Sequence, residues 1–238
     1  GLDATRQQTF DLLARNVTVA AQINANDLGV VAGSNDVDYA SRTATAVTAT
    51  GVAPSVAIDT ALLGGMYANR IRLLATEQGV GVKIAGEAAA SVDDLTLSAA
   101  GKLELSGKLS ATRDLGVTAT AGSAGTTAID VSGSSTGTSL FAGRNTTLNA
   151  GGGALALGAG KVGASGALTL SGDDVTDTGT AADQRFAGTA LTVAAVDRLG
   201  IDGANYDAGA NLVLGAGRVD LGTGGTKLVG ARNSGSVA

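Results

Sequence analysis

The side chains that most often perform catalysis are missing from this sequence. It contains no histidine and no cysteine, which excludes the common acid–base, thiol and zinc constellations. Two pairs of adjacent carboxylates remain, Asp93-Asp94 and Asp173-Asp174. Neighbouring side chains in a strand point to opposite faces, so neither pair is arranged to share a proton or a metal ion. We interpret both pairs as solvated turn residues.

A basic group is the second candidate. Arg70, Arg72 and Lys83 lie close in sequence to Glu77 and Glu87, and β-helical polysaccharide-active enzymes gather such charges on one sheet face. The alternative is a set of exposed ion pairs, which contribute little to stability. We favour the ion pairs.

The glycine-rich segment Gly151–Gly160 is the last candidate. It lacks the Lys-Ser/Thr ending of a phosphate-binding loop. It also lacks the aspartate of the glycine-rich repeats that bind calcium. The sequence therefore predicts no catalytic, cofactor-binding or metal-binding residue, no cofactor and no enzymatic activity.

Composition favours a narrow core. Apolar residues make up 44% of the 238 residues, but aromatics only 3%, and there are 37 glycines. A wide globular interior needs bulkier side chains to reach normal packing density. The net charge is −5 with no basic stripe, so no nucleic-acid partner is expected. No apolar run approaches the roughly 20 residues of a membrane-spanning helix, so no membrane insertion is expected.

Short apolar-x-apolar triplets recur along the downstream half. The first series is Leu95-Thr96-Leu97, Leu115-Gly116-Val117, Thr147-Leu148-Asn149, Leu168-Thr169-Leu170, Leu191-Thr192-Val193 and Leu212-Val213-Leu214. The spacings of their first leucines are 20, 33 (148 − 115), 20, 23 and 21 residues. Each triplet sends two apolar side chains to one face of a strand. A repeat near 20 residues predicts one coil of a stacked β-solenoid.

A second series follows the first: Leu103-Glu104-Leu105, Ile129-Asp130-Val131, Leu155-Ala156-Leu157, Leu199-Gly200-Ile201 and Val219-Asp220-Leu221. The intervening turns are rich in glycine and asparagine. We expect stacked asparagines to form ladders between coils; the candidates are Asn16, Asn24, Asn26, Asn145, Asn149, Asn205 and Asn211. The spacing of 33 indicates an enlarged coil, whose excess lies in residues 121–139 and bulges outward in part.

The upstream half is less regular. Short strands are expected at Phe10-Asp11-Leu12, Val17-Thr18-Val19, Ile23, Leu28-Gly29-Val30, Val37-Asp38-Tyr39 and Val56-Ala57-Ile58. Residues 40–55 contain the only proline, Pro54, and predict a loop or an extra-helical hairpin. Residues 61–77 are the best helix candidate, but Gly64-Gly65 would interrupt a helix and the following residues alternate, which favours a turn and a strand.

Three stretches carry a resemblance to a known family. The run LGGMYANRIRLLATEQGVGVKIAG (Leu63–Gly86) resembles a signature of the two-partner secretion exoproteins, which include filamentous haemagglutinin-type (TpsA) adhesins and CdiA-type contact-dependent growth-inhibition effectors. FDLLARNVTVAAQINANDLGVVAGSNDVDY (Phe10–Tyr39) is similar to the last coils of the family's secretion domain. LTLSAAGKLELSGKLSA (Leu95–Ala111) is similar to its haemagglutinin repeats.

The resemblance implies an all-β fold, a right-handed parallel β-helix with extra-helical loops. It also implies export across the outer membrane of a Gram-negative bacterium through a TpsB-type transporter, and a filament on the cell surface. The Asn-Pro-Asn motifs that open the family's secretion domain are absent, so the chain resembles a fragment. We expect residues 1–90 to be the end of a secretion-domain-like β-helix and residues 91–238 to be a haemagglutinin-repeat shaft.

The predicted function is a structural shaft that presents a distal adhesin or growth-inhibition toxin. The loops near 40–55 and 121–139 are the expected contacts for a target-cell receptor. Two alternatives remain open: a β-helical polysaccharide-active or tailspike-like module, and a recognition domain for the outer-membrane partner.

Overall fold

The chain forms a parallel β-solenoid of about ten turns. The structure, a computed structural model, describes residues 1–132 and 137–230. All of their regular elements are strands, and no helix long and apolar enough to cross a membrane is found among them. The predicted all-β, parallel β-helical architecture is confirmed.

Twenty-eight strands are described. In chain order they are β1 (Leu2–Ala4), β2 (Phe10–Ala14), β3 (Val17–Val19), β4 (Gln22–Ala25), β5 (Asp27–Ala32), β6 (Asn35–Asp38), β7 (Thr43–Ala46), β8 (Val56–Thr60), β9 (Gly65–Ala68), β10 (Arg70–Ala75), β11 (Gly81–Ile84), β12 (Glu87–Ala90), β13 (Leu95–Ala99), β14 (Leu103–Leu105), β15 (Lys108–Ala111), β16 (Leu115–Ala119), β17 (Thr127–Val131), β18 (Ser139–Ala142), β19 (Thr146–Asn149), β20 (Ala154–Leu157), β21 (Lys161–Ala164), β22 (Leu168–Asp177), β23 (Gln184–Ala187), β24 (Leu191–Ile201), β25 (Asn205–Ala208), β26 (Leu212–Gly215), β27 (Arg218–Leu221) and β28 (Lys227–Val229).

Three parallel ladders, which we name faces A, B and C, are visited in turn by each coil. Face A is β1-β4-β9-β12-β15-β18-β21-β23-β25-β28. Face B runs through β2, β5, β10, β13, β16 and β19, and face C through β3, β8, β11, β14, β17 and β20. The long strands β22 and β24 turn from face B into face C without a break, and β26 and β27 then continue the two faces separately.

Apolar side chains in register fill the interior. On face B, Leu28 pairs with Ile71, Ile71 with Leu95, and Leu95 with Leu115, and all four side chains are buried. Alternation within each strand places the residues between them on the outside. Because a single coil cannot cover its own inner face, this core exists only through stacking.

The ordinary coil holds 21 or 22 residues in both halves of the chain. Gly65 pairs with Glu87, Glu87 with Lys108 and Ser139 with Lys161, so these coils hold 22, 21 and 22 residues (87 − 65, 108 − 87, 161 − 139). The less regular upstream half that the sequence predicts comes from a single enlarged coil. Upstream coils follow the same register, and one insertion conceals it: Gln22 pairs with Gly65, 43 residues on (65 − 22).

That insertion is an antiparallel hairpin of β6 and β7, which confirms the extra-helical hairpin predicted within residues 40–55. It begins earlier than expected. Val37-Asp38-Tyr39, predicted as a strand of the solenoid, supplies the end of β6 and the start of the turn. The expected turn and strand in residues 61–77 become a turn, β9 and β10.

The enlarged downstream coil is smaller than predicted. Leu115 pairs with Thr146 and Val117 with Leu148, a spacing of 31 residues (146 − 115) rather than 33. Thr146 takes an inward position that apolar spacing could not identify, because its buried hydroxyl donates to the Gly163 carbonyl at 2.7 Å. Within the expected bulge, residues 133–136 lie outside the described residues, and β17 is an ordinary strand of face C.

Candidate functional site: the hairpin anchored on the first coils

The β6–β7 hairpin is the largest departure from the solenoid among the described residues. Asn35 pairs with Ala46 and Asp38 with Thr43. In the turn, Asp38 Oδ1 accepts hydrogen bonds from the Ser41 amide (2.7 Å) and the Ser41 hydroxyl (2.9 Å). These bonds stabilise the carboxylate, so the pKa of Asp38 is lowered. Because two-stranded sheets are marginal alone, this hairpin needs an anchor.

Arg42 is that anchor. Its backbone adopts φ of 54°, in the left-handed region, which directs the side chain from the turn onto face B. Its guanidinium donates to Asp11 Oδ1 at 2.5 Å and to Asp27 Oδ2 at 3.0 Å. The pKa of Arg42 is raised, first by the bond to Asp11 and against the effect of burial. Gly29 makes room, since a Cβ there would lie 2.1 Å from Asp11 Oδ1.

A second clamp holds the far side of the insertion. Arg15 forms a two-pronged ion pair with Glu77, at 3.1 Å from Nε and 2.7 Å from Nη2. Its Nη1 also donates to the Thr50 carbonyl at 2.9 Å. The bond from Arg15 lowers the pKa of Glu77. One arginine of the first coil therefore holds both the insertion and the third coil.

A cleft of about 440 Å³ opens between the hairpin and the first two coils. Leu13 and Val31 come from the coils, Val37 and Val47 from the insertion, and Arg15 contributes a charge. Apolar walls with a polar rim suit an extended peptide or an apolar side chain. The lining contains no pair of groups arranged for acid–base chemistry.

The predicted acidic pair Asp93-Asp94 lies at the corner between faces A and B, and it is not simply solvated. Asp93 forms an ion pair with Arg70, and Arg113 Nη1 lies 3.0 Å from Asp93 Oδ1. The bond from Arg70 lowers the pKa of Asp93. One coil further, Asp114 pairs with Arg144. Opposite charges on successive coils are thus paired along this corner, and we name this series of ion pairs the corner ladder.

The second acidic pair lies elsewhere. Asp173 and Asp174 fall within β22, where the strand turns from face B to face C. Asp174 Oδ1 accepts a hydrogen bond from the Arg198 amide at 3.2 Å. Asp173 and Asp174 are therefore strand residues, and their interpretation as turn residues is wrong.

The basic cluster, which the sequence offered only as the less favoured alternative to exposed ion pairs, does not form. Arg70 faces Asp93, Arg72 donates to the Arg42 carbonyl at 2.9 Å, and Lys83 lies on face C in β11. Glu77 pairs with Arg15, and Glu87 accepts a hydrogen bond from the Tyr67 hydroxyl at 3.0 Å. Sequence proximity was misleading because consecutive strands of one coil belong to different faces.

The predicted asparagine ladder forms in part. Asn26 Nδ2 donates to the Thr5 carbonyl at 2.7 Å, and Asn69 Nδ2 lies 3.5 Å from Asn26 Oδ1. Asn145 Nδ2 donates to Asp114, and its Oδ1 accepts from the Ala167 amide at 3.0 Å. Asparagine therefore bridges coils at the corner ladder. Asn149 instead caps its own turn by accepting from the Gly151 amide.

The sequence patterns did not predict a buried charged cluster in the downstream coils. Arg185 is 1% exposed and occupies an inward position of face A, in register with Val162 and Tyr206. It donates twice to Asp177, at 2.8 and 2.9 Å, and to the Gly160 carbonyl at 2.8 Å and the Gly158 carbonyl at 2.5 Å.

The Tyr206 hydroxyl completes the cluster by donating to Asp177 at 2.8 Å, and burial raises the pKa of Tyr206 well above its ordinary value. Arg185 also reaches the Gln184 carbonyl at 3.3 Å, so all five of its N–H groups are used. This closed network is structural. The signal that could have found it is a charge at an inward position of the repeat.

Metal ligation finds no support in the described part of the chain, where no group of three or more acidic side chains is arranged to hold an ion.

Comparison with known proteins agrees with this geometry. Residues 1–105 match the family model described as the TPS secretion domain. The chain is 53% identical over 111 residues to the tRNA nuclease CdiA-2 of Burkholderia pseudomallei (strain 1026b), which covers 47% of this chain and 4% of that protein. It is 46% identical over 123 residues to the Toxin CdiA of Yersinia pestis, covering 51% and 4%. The chain thus spans a small part of these relatives, and no solved structure matches it.

Proposed function

We propose that this chain is part of a TpsA/CdiA-type two-partner secretion exoprotein and that its solenoid is a rigid surface shaft presenting a distal adhesin or toxin. Such exoproteins are secreted by Gram-negative bacteria. The observation that carries the proposal is the continuous register from β1 to β28, in which the ladder of face A crosses position 105 without a break.

The relatives favour a toxin as the presented part. They are named as toxins and nucleases, and the matched stretch is about 4% of their length. The nuclease activity in these names belongs to those relatives. For this chain we propose that it carries the toxin and does not itself catalyse a reaction. We also propose that the shaft extends from the outer cell surface.

A second role is favoured by the family match alone. Residues 1–105 correspond to a TPS secretion domain, which implies interaction with a TpsB-type transporter during export. We propose that the coils carrying the hairpin take part in this step before they become the base of the shaft. The polysaccharide-active alternative is not favoured, because outward carboxylates such as Asp93 and Asp114 are occupied by arginines.

Register deletions in the full-length exoprotein test the shaft. Removing residues 139–160 deletes one whole coil and brings Lys161 to the place of Ser139, so later strands keep their faces. Removing residues 139–149 deletes half a coil and moves face C strands onto face A. We expect surface exposure of a C-terminal epitope to persist after the first deletion and to be lost after the second. Equal loss in both, or equal tolerance of both, would contradict a shaft built on coil register.

A further inference from the structure

The outside of the first coils carries a short apolar row. On face B, Leu13 pairs with Val31 and Val31 with Leu74, and we name these three outward side chains the apolar strip. The same register position continues downstream as Ser98, Thr118, Asn149 and Ser171. Apolar side chains on the outside of a solenoid gain stability only where something covers them. The strip therefore distinguishes the coils beneath the β6–β7 hairpin from the coils that follow.

The hairpin covers this strip. Val31 points outward yet is only 6% exposed, whereas Leu13, at the end of the strip, is 46% exposed. Val37 of β6 lines the same small cavity as Leu13 and Val31. The occupant of the strip is therefore a segment of this chain, the hairpin itself.

The tip of the hairpin is held by charge more than by packing. Every residue of β6 and β7 is exposed or half-buried, and a cleft of about 440 Å³ opens beneath them. Arg42 lies 2.5 Å from Asp11 and 3.0 Å from Asp27, and we name these two ion pairs the latch. The Arg42 side chain is 31% exposed, so dissolved ions reach the latch and weaken it.

The base of the hairpin is attached separately from the tip. The Thr76 hydroxyl donates to Asn35 Oδ1 at 2.6 Å, and Arg15 donates to the Thr50 carbonyl at 2.9 Å. The chain leaves face B at Gly33, whose φ of 116° only glycine adopts readily. Loss of the latch therefore frees the tip while the base stays in place, and the hairpin pivots about its base.

We propose that the hairpin is a latched lid, which hides the apolar strip when closed and exposes it when Arg42 is released. The closed lid presents polar side chains to solvent, among them Asp36, Asp38, Thr43 and Thr45. The first coils thus have two alternative outer surfaces, one polar and one apolar, and the latch selects between them. Ionic strength controls the choice, because salt screens partly exposed ion pairs.

Thiol labelling of single introduced cysteines tests the lid in the secreted full-length protein, with each labelled peptide identified by mass spectrometry. Val31→Cys reports the covered strip, Ser98→Cys reports the same outward row beyond the lid, and Leu140→Cys reports the solenoid interior. Each is measured with Arg42→Gln, which removes the latch without altering the coils. Arg144→Gln is the matched loss of a paired arginine elsewhere.

Arg42→Gln should raise the labelling rate at position 31 about tenfold or more, since losing hydrogen bonds to a charged group changes an opening equilibrium by at least that factor. High salt should raise the same rate in the chain that retains Arg42. Position 98 should label equally in all variants, position 140 should stay protected, and Arg144→Gln should change neither. A rate at position 31 that responds neither to Arg42→Gln nor to salt would overturn the lid, and so would a parallel rise at position 140, which would mean that the coils themselves unfold.

Discussion

The coils under the hairpin and the coils downstream share one architecture and differ in what is added to it. Gly29 and Gly116 occupy the same outward position of face B, linked rung by rung through Arg72 and Thr96. Gly29 lies beneath the Arg42 anchor, whereas nothing lies within 4 Å of the position a Cβ would take on Gly116. Specialisation of the first coils thus comes from an insertion at a corner, and the repeat beneath it is unchanged.

The interior shows the reverse difference. The inner positions of the first coils are filled by apolar residues such as Leu28 and Ile71, whereas downstream coils bury Arg185, Asp177 and Tyr206. A buried ion pair seldom adds stability over well-packed apolar residues, but breaking one leaves an uncompensated charge. The upstream coils are therefore distinguished by an insertion on the outside, and the downstream coils by a charged network in the interior.

The largest expected effect comes from breaking the buried cluster. Arg185→Met should destabilise the coils around it by about 3–5 kcal/mol, because Asp177 stays buried without its partner. Arg185→Met with Asp177→Leu should recover most of that loss. Local hydrogen exchange in β22, β23 and β25 measures both. Leu140→Met, at another inward position of face A, is the matched control and should cost under about 1.5 kcal/mol. If Arg185→Met were as stable as Leu140→Met, the hydrogen-bonded network around Arg185 would not hold Asp177 as described.

The next effect tests the shared register position directly. Gly29→Ala should destabilise the hairpin region by about 1–3 kcal/mol, since the new methyl group collides with the Asp11 carboxylate. Gly116→Ala should be neutral or stabilise by about 0.4–1 kcal/mol through the unfolded state. Thermal unfolding of the two variants gives the comparison. Equal effects would mean that the hairpin does not cover Gly29.

The Arg15–Glu77 clamp predicts a pH dependence limited to the first coils. The folded-state pKa of Glu77 lies below its ordinary value of 4.5. Its contribution is therefore fully present above about pH 4.5 and is lost as the pH falls through the lowered value. Protection of residues 47–50 from hydrogen exchange should be constant near neutrality and decrease in acid. Glu77→Gln should remove this dependence, and an unchanged acid profile in that variant would argue against the clamp.

The smallest effect concerns the corner ladder. Arg144→Gln should lower the thermal unfolding temperature only slightly, because Arg144 is 52% exposed and solvent screens its pair with Asp114. Increasing the salt concentration should reduce even that difference. A larger, salt-independent loss measured by thermal unfolding would mean that the ladder carries the fold, and that the apolar core is not what holds the coils together.

Much of the solenoid could be predicted because inward positions repeat every second residue of a strand. Leu95, Leu115 and Leu168 identify face B by spacing alone, and all three are buried. Apolar spacing does not identify an inward residue that is polar. Thr146 is such a residue, since its hydroxyl bonds to a backbone carbonyl, and so is Arg185, which pairs with another charge. Apolar spacing carries no information about such partners, since they come from neighbouring coils.

The sequence predicted the position of the hairpin but not the residues that anchor it. Threonine, alanine and one proline indicated an insertion within residues 40–55, yet nothing in that stretch predicted that Arg42 would reach Asp11 and Asp27. The three residues lie on different elements, and the register that unites them follows from the stacking of the first two coils.

Disulfide trapping tests the continuous solenoid most directly, because these 238 residues contain no cysteine that would compete with the introduced pairs. Thr96 lies within the matched stretch of residues 1–105, and its partner Gly116 lies beyond it. Adjacent parallel strands are about 4.8 Å apart, within disulfide range, whereas strands two rungs apart are not. In the secreted full-length protein, Thr96→Cys/Gly116→Cys should therefore oxidise readily, and Thr96→Cys/Thr147→Cys should remain reduced. Oxidation of the second pair without the first would contradict a solenoid that continues in register across the two regions.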